Sequence, residues 1–266
     1  MPNADWVIVN KNTLEKVKAA KDRSYRVGVF LSDLHGKANH GISSPVLFLK
    51  YLNKQRYDAF FLKYLEIYGC GVNPHLFEEG LIGDVYHLPW SVDCGKHTWK
   101  RKKVDVTFIG NVAHTYPLRQ EIWEDLYYVA RGYKIVREMR PPGKTFERRV
   151  SESTSKYVGD EYCNLLNETR IMIFGCSKYR YPLQKYFESA ASGCLVLADE
   201  PSTAKKLGFI DNKTYVDVNV YDWRPVLQWC LENEDKTNSI IRSSLKNVLM
   251  NHSHEKRADD FIEMIS

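Results

Sequence analysis

No apolar run in this sequence approaches the roughly 20 residues of a membrane-spanning helix. Met1 to Lys11 has neither the basic start nor the apolar core of a secretory leader, so a protein of the cytoplasm is expected. The six cysteines, Cys70, Cys94, Cys163, Cys176, Cys194 and Cys230, lie far apart without a CxxC pair. That spacing indicates neither a zinc site nor a disulfide framework. Internal repeats, low-complexity tracts and a GxGxxG fingerprint are missing as well. Neither charge sign dominates, with 38 Lys plus Arg against 33 Asp plus Glu. This mild basic excess favours anionic small molecules, and the basic runs are too short and too poor in interleaved aromatics for a nucleic-acid partner. No carboxylate pair of DxD spacing stands at a strand end, since Asp33 is isolated and Asp259 and Asp260 fall in a helix pattern. A bound metal or other cofactor is therefore not expected.

What is present is βα alternation. Trp6–Val9 reads as a strand and Thr13–Lys21 as a helix. Val27–Leu31 is an uninterrupted apolar strand that delivers Ser32, Asp33, Leu34 and His35 into a loop beside Gly36. A helix over Pro45–Leu52 and strands over Asp58–Leu62 and Val85–Leu88 complete a small parallel layer in residues 1–95. From Trp90 to Lys103 the character changes, and a linker is expected there. Its basic run, Lys100 to Lys103, is open to two readings: an anionic-membrane contact at the periphery, or a solvated connection. A second α/β unit over 104–250 starts with the strand Val106–Ile109, which Gly110 and Asn111 end. Leu118, Ile122, Leu126 and Val129 recur at helical spacing before Gly132. Tyr133–Val136 and Tyr215–Val218 read as strands, Arg140–Tyr157 as a long polar connection, and Glu161–Thr169, Asp222–Leu231, Thr237–Met250 and Ser253–Ile265 as helices.

The stretch Arg170 to Asp199 carries the densest signal. Ile171–Phe174 is an apolar strand, Pro182 can open a helix, and Leu183, Tyr186, Phe187, Ala190 and Ala191 give that helix an apolar stripe up to Gly193. Cys194–Leu197 is the next strand, so the unit is a βαβ crossover. Gln184, Lys185, Glu188 and Ser192 share the polar face, and Arg180 precedes the first turn. A helix N-terminus with two cations beside it suits a phosphate or diphosphate, and a carboxylate one turn later suits vicinal hydroxyls such as those of a ribose. The bland alternative is that Lys185 and Glu188 form a solvated i,i+3 ion pair on an ordinary crossover helix.

At these residues the sequence resembles a known family. YFESAASGCLVLAD is similar to the helix and strand of the C-terminal domain in GT-B glycosyltransferases of the group-1 type, nearest to the CgeB-like subgroup. The resemblance implies that Glu188 binds the ribose of a sugar nucleotide and that Arg180 and Lys185 neutralise its diphosphate. Where many members carry a second Glu that contacts the donor sugar, this chain has Arg180, which leaves the stereochemical outcome open. VTFIGN followed by PLR is similar to the first strand and loop of the same domain, and nominates Gly110, Asn111 and Arg119 on the diphosphate. The fold implied is α/β, with two Rossmann-like parallel-sheet domains of the GT-B type. Its N-terminal domain is reduced, and residues 251–266 form a helix that crosses back towards that domain.

The expected activity is transfer of a sugar from a nucleotide donor, UDP- or GDP-linked, to a hydroxyl of a glycan or glycoconjugate, without a metal. A base for that hydroxyl is sought on the N-terminal side, and Asp33 and His35 qualify because they follow the strongest strand of that half at its carboxyl end. An Asp and a His in such a place also serve as helix caps or backbone partners. The competing function is that of a non-catalytic, nucleotide-binding regulatory α/β protein.

Overall fold

A computed structural model describes residues 6–10, 25–32, 34, 44–139 and 156–266. The unalternating apolar runs become parallel strands, and the described residues divide into two units. The first holds residues up to Trp90 together with Tyr179–Tyr181 and Arg257–Ser266; the second holds Ser91–Lys178 and Pro182–Lys256.

In the first unit β1 (Trp6–Asn10), β2 (Arg26–Leu31), β3 (Ala59–Leu62) and β4 (Asp84–His87) form a parallel sheet in that spatial order. Its register sets Phe30 beside Phe61 and Phe61 beside Tyr86. Their ring centroids are 5.3 and 5.5 Å apart, an aromatic row across three strands. Gly28 makes room for this row, because a Cβ there would stand 2.5 Å from the Phe61 ring. The other elements of this unit are α1 (Pro45–Lys54), which has a proline in its first turn, and α2 (Leu76–Gly80), whose Phe77 ring lies 5.9 Å from Phe48 of α1. The C-terminal helix closes the row, with Phe261 5.1 Å from Phe61 and the Trp6 indole donating to the Ile265 carbonyl at 2.9 Å.

The second unit runs β5 (Val104–Gly110), α3 (Pro117–Val129), β6 (Ile135–Met139), α4 (Asp160–Asn167), β7 (Thr169–Phe174), α5 (Gln184–Ala191), β8 (Leu195–Ala198), β9 (Val216–Asp217), α6 (Trp223–Glu232), α7 (Glu234–Asn251) and the start of α8 (His254–Ile265). Its five strands are parallel in the order β6-β5-β7-β8-β9. This is a doubly wound arrangement whose strand order reverses between β5 and β7. Alternate residues of the central strands, among them Phe108, Ile173 and Leu197, share one buried cluster with Ile122 and Leu126 of α3 and Trp223 and Leu227 of α6. The described residues thus give two parallel-sheet α/β units with eight helices. None of these helices is long and apolar enough to cross a membrane. The helix expected over Thr13–Lys21 and residues 140–155 of the polar connection lie outside the described residues. The one-turn α2 is a departure from the sequence reading, because five residues are too few to show a period.

Residues 91–103 are tied to the second unit by hydrogen bonds. The Val92 N–H donates to the His252 carbonyl at 2.9 Å, and the Thr98 N–H donates to the Asn167 side chain at 2.8 Å. The Lys102 ammonium donates to the carbonyls of Asn167 and Ser192 at 3.1 and 2.8 Å, and Lys103 pairs with Glu168. Half of the basic run, Lys102 and Lys103, is thereby engaged within the second unit.

Candidate functional site

In a doubly wound sheet the crevice for ligands opens at the carboxyl ends of the strands where their order reverses. Here those ends are Gly110 of β5 and Phe174 of β7, followed by Gly175. Both glycines are dictated by close approach. A Cβ on Gly110 would lie 3.1 Å from Lys185 Nζ and 3.2 Å from an Arg119 terminal nitrogen, and one on Gly175 would lie 3.0 Å from Leu118 Cβ. Two cations from different helices therefore meet at the end of β5.

Arg119 comes from the first turn of α3 and is 4% exposed. Its Nε donates to the Gly175 carbonyl at 2.6 Å, a terminal nitrogen donates to the Asn111 carbonyl at 3.3 Å, and its guanidinium lies 3.8 Å above the Tyr116 ring. Burial lowers its pKa, against the raising effect of Tyr116 and Asp199, yet a guanidinium stays charged in any such setting. Asn111 shapes the turn: its side-chain oxygen accepts from the Ala113 N–H at 3.0 Å. Lys185, in the first turn of α5, donates to the Ile109 carbonyl of β5. Positive charge, the N-terminal end of an eight-residue helix and two glycine-lined strand ends are thus gathered in one place, a geometry that suits an anionic group.

One turn along α5, Glu188 is half-buried, and one of its oxygens accepts from the Tyr162 hydroxyl at 3.3 Å. Ser192, expected on the solvated face, is buried instead, because segment 91–103 covers that end of the helix. Its hydroxyl lies 2.9 Å from Nδ1 of His97, whose Nε2 is 3.5 Å from the Cys163 sulfur. Burial pulls the His97 pKa down to about 4, so its ring is neutral at physiological pH. Burial, with the Glu188 charge behind it, pushes the Cys163 thiol up.

Asp199, just past β8, marks the far edge of this region. Its carboxylate accepts from the Cys176 N–H at 2.6 Å, and its backbone carbonyl accepts from the Tyr186 hydroxyl. Burial raises its pKa to about 6, against the lowering effect of the Cys176 hydrogen bonds and of Arg119. Among the described residues no group of three or more His, Cys, Asp and Glu side chains is placed to hold a metal ion.

Of the residues nominated by sequence, Gly110, Asn111, Arg119, Lys185 and Glu188 come from the same end of the second sheet. Arg180 lies in the tripeptide Tyr179–Tyr181, which groups with the first unit, and the helix begins at Gln184, two residues after Pro182. Tyr181 stacks on Tyr64 with ring centroids 4.0 Å apart, and its hydroxyl accepts from the Leu34 N–H at 3.2 Å. Arg180 itself takes a left-handed φ of 56° and lies 5.4 Å from the Tyr68 ring centre. Asp33 and His35 lie outside the described residues. Sequence reasoning missed Tyr162, His97 and Asp199. Only Asp199 had a signal, an acid directly after an apolar strand.

A comparison with curated protein sequences returns no match. Among solved structures, a TarM variant from S. aureus in complex with fondaparinux, alpha-GlcNAc-glycerol and UDP superposes with a TM-score of 0.68 at 12% identity, over 97% of this chain and 55% of that one. Sucrose-phosphate synthase from Thermosynechococcus elongatus gives 0.69 at 11% identity, over 97% and 72%. A glycosyltransferase from Rickettsia africae gives 0.66 at 14% identity, over 97% and 76%. The chain spans about half the length of the TarM structure it matches. These likenesses establish the fold, which is that of the GT-B glycosyltransferases. The family follows from the sequence itself: the model of the Glycosyl transferase-like family matches residues 97–263, and the chain belongs to that family.

Proposed function

We propose that this protein transfers a hexosyl or pentosyl group from a nucleoside-diphosphate sugar, UDP- or GDP-linked, to a hydroxyl of a glycan or glycoconjugate in the cytoplasm, without a metal. The observation that carries this reading is the meeting of Lys185 and Arg119 on Gly110, at the point where the second sheet reverses its strand order. Charge grows on the diphosphate as the glycosyl bond breaks. Two fixed cations and a helix N-terminus stabilise that charge without waiting for solvent to reorganise. The TarM complex named above contains UDP, which agrees with a donor of this kind.

Glu188 is assigned to the donor ribose, and the YFESAASGCLVLAD run supports the CgeB-like subgroup. Arg180 enters the reading through the resemblance, as a third cation for the diphosphate. Asp33 and His35 are the candidates for the base that accepts the proton of the attacking hydroxyl.

The test is a panel of UDP-, GDP-, ADP- and CMP-sugars, scored first for thermal stabilisation of the full chain and then for hydrolysis or transfer. Stabilisation by one nucleotide class with turnover is expected. Stabilisation without turnover under any acceptor would favour the nucleotide-binding regulatory protein, and no stabilisation by any member would overturn both.

A further inference from the structure

We propose that Asp199 is a positioning residue for the donor diphosphate, acting on Arg119 through the Gly175–Cys176 peptide; the proposal rests on the assignment of Arg119 to the diphosphate given above. That peptide lies immediately beyond β7, which has β5 on one side and β8 on the other. It is bonded from both directions. The Asp199 carboxylate, just past β8, accepts from the Cys176 N–H at 2.6 Å. Arg119, on the helix that follows β5, donates from Nε to the Gly175 carbonyl at 2.6 Å. The two bonded groups are the N–H and C=O of one trans peptide, so they point opposite ways on a single rigid plane. A carboxylate and a guanidinium from the two sides of the crevice thus hold the same peptide.

For Arg119 this bond is the shorter of two to carbonyls, 2.6 Å against 3.3 Å to Asn111, and Nε is the guanidinium nitrogen nearest the side-chain stem. The Gly175 carbonyl therefore sets the plane of the guanidinium, which the Tyr116 ring backs at 3.8 Å. An N–H bonded to a carboxylate polarises the carbonyl of its own peptide and strengthens the bond that the carbonyl accepts. Without the acceptor at 199 the peptide is held from one side only. Arg119 then keeps its charge and loses the fixed direction from which that charge meets a diphosphate. The loss should fall on ligands that carry a diphosphate and spare those that lack one.

The experiment is calorimetric titration of the full chain with UDP, GDP, ADP and CDP, and displacement of whichever binds most tightly by its own nucleoside. It is run at pH 8, where a carboxyl whose pKa burial raises to about 6 is ionised. The parent protein should prefer the diphosphate over the nucleoside by about tenfold or more. Asp199→Ala should leave the nucleoside affinity unchanged, which also reports an intact fold, and should narrow the preference by about three- to tenfold. Asp199→Leu, of similar shape and without an acceptor, serves where the alanine variant does not fold. Asp199→Asn, which keeps an acceptor oxygen, should restore the preference to within about twofold of the parent. A preference that the Ala or Leu variant leaves intact would overturn the positioning role while Arg119 keeps its own. Equal weakening of both ligands would reduce Asp199 to packing, and an Asn variant no better than Ala would rule out the hydrogen-bonded route; either overturns the role. A parent protein that does not distinguish diphosphate from nucleoside, or binds none of the four nucleotides, would sink the assignment of Arg119 and this proposal with it.

Discussion

Replacing Asp199 by Asn should change how stability depends on pH, and the structure gives both the sign and the size. The folded pKa is raised from the ordinary aspartate value to about 6, with burial the largest cause. A raised carboxyl binds more protons folded than unfolded. Its contribution to stability is therefore complete below about pH 4 and is lost as pH rises through about 6. A shift of about two units corresponds to about 3 kcal/mol. His97 opposes it. Its pKa is lowered to about 4, so its contribution is complete above the ordinary histidine value and is lost as pH falls towards 4. The two windows overlap and the two sizes are similar, so the two groups offset each other in the parent protein. Asn at 199 keeps an oxygen for the Cys176 N–H and removes the ionisation. Urea denaturation of the parent and Asp199→Asn at intervals from pH 4 to 8 should give similar stabilities at the acid end. A gap in favour of the variant should then open, reaching about 3 kcal/mol by pH 7. His97→Asn should tilt the profile the opposite way. A gap between parent and Asp199→Asn that does not change with pH, or one favouring the parent at pH 7, would refute the reasoning.

Three further outcomes follow from the proposed donor site. Glu188→Gln should weaken nucleotide binding by about 1.5 to 3 kcal/mol with the melting temperature retained, checked by calorimetry; unchanged affinity would remove Glu188 from the site. Lys185→Met should lower turnover more than substrate binding, since the charge it meets grows in the transition state, and EDTA should leave the parent activity intact. Restoration of EDTA-lost activity by Mn²⁺ or Mg²⁺ would contradict the metal-free mechanism. Asp33→Asn or His35→Ala should slow single-turnover transfer by about 10²- to 10⁴-fold with donor affinity retained; if both stay within a few-fold of the parent, neither is the base.

The strands were legible because a strand covered on both faces needs no alternation. Val27–Leu31, Ile171–Phe174 and Cys194–Leu197 are runs of that kind, and the structure places strands on each within two residues. Helices with a clear apolar stripe were as plain: Leu118, Ile122, Leu126 and Val129 line the buried side of α3. The start of α5 was misjudged by two residues. A proline is welcome at the first helical position, but the preceding tripeptide is held by Tyr64, Tyr68 and Leu34, contacts that no local rule contains. Tertiary contact overrode local propensity there.

The site divides along the same line. Lys185, Glu188, Gly110 and Arg119 were legible because motif, charge and strand ends coincide in sequence. Tyr162, His97 and Lys102 were not, because each acts through a partner 26 to 95 residues away. The basic run near the end of Trp90–Lys103 looked like a surface connection, and only the fold shows that His97 is buried and Lys102 is engaged. There the segment meets the Asn167 and Ser192 carbonyls at helix ends and the hydroxyl of Ser192 at the end of α5. Burial of Lys102 lowers its pKa, a cost that its carbonyl partners offset only if they stay where they are. The segment therefore stabilises one arrangement of α4 against α5. That arrangement brings the Tyr162 hydroxyl to 3.3 Å from a Glu188 oxygen.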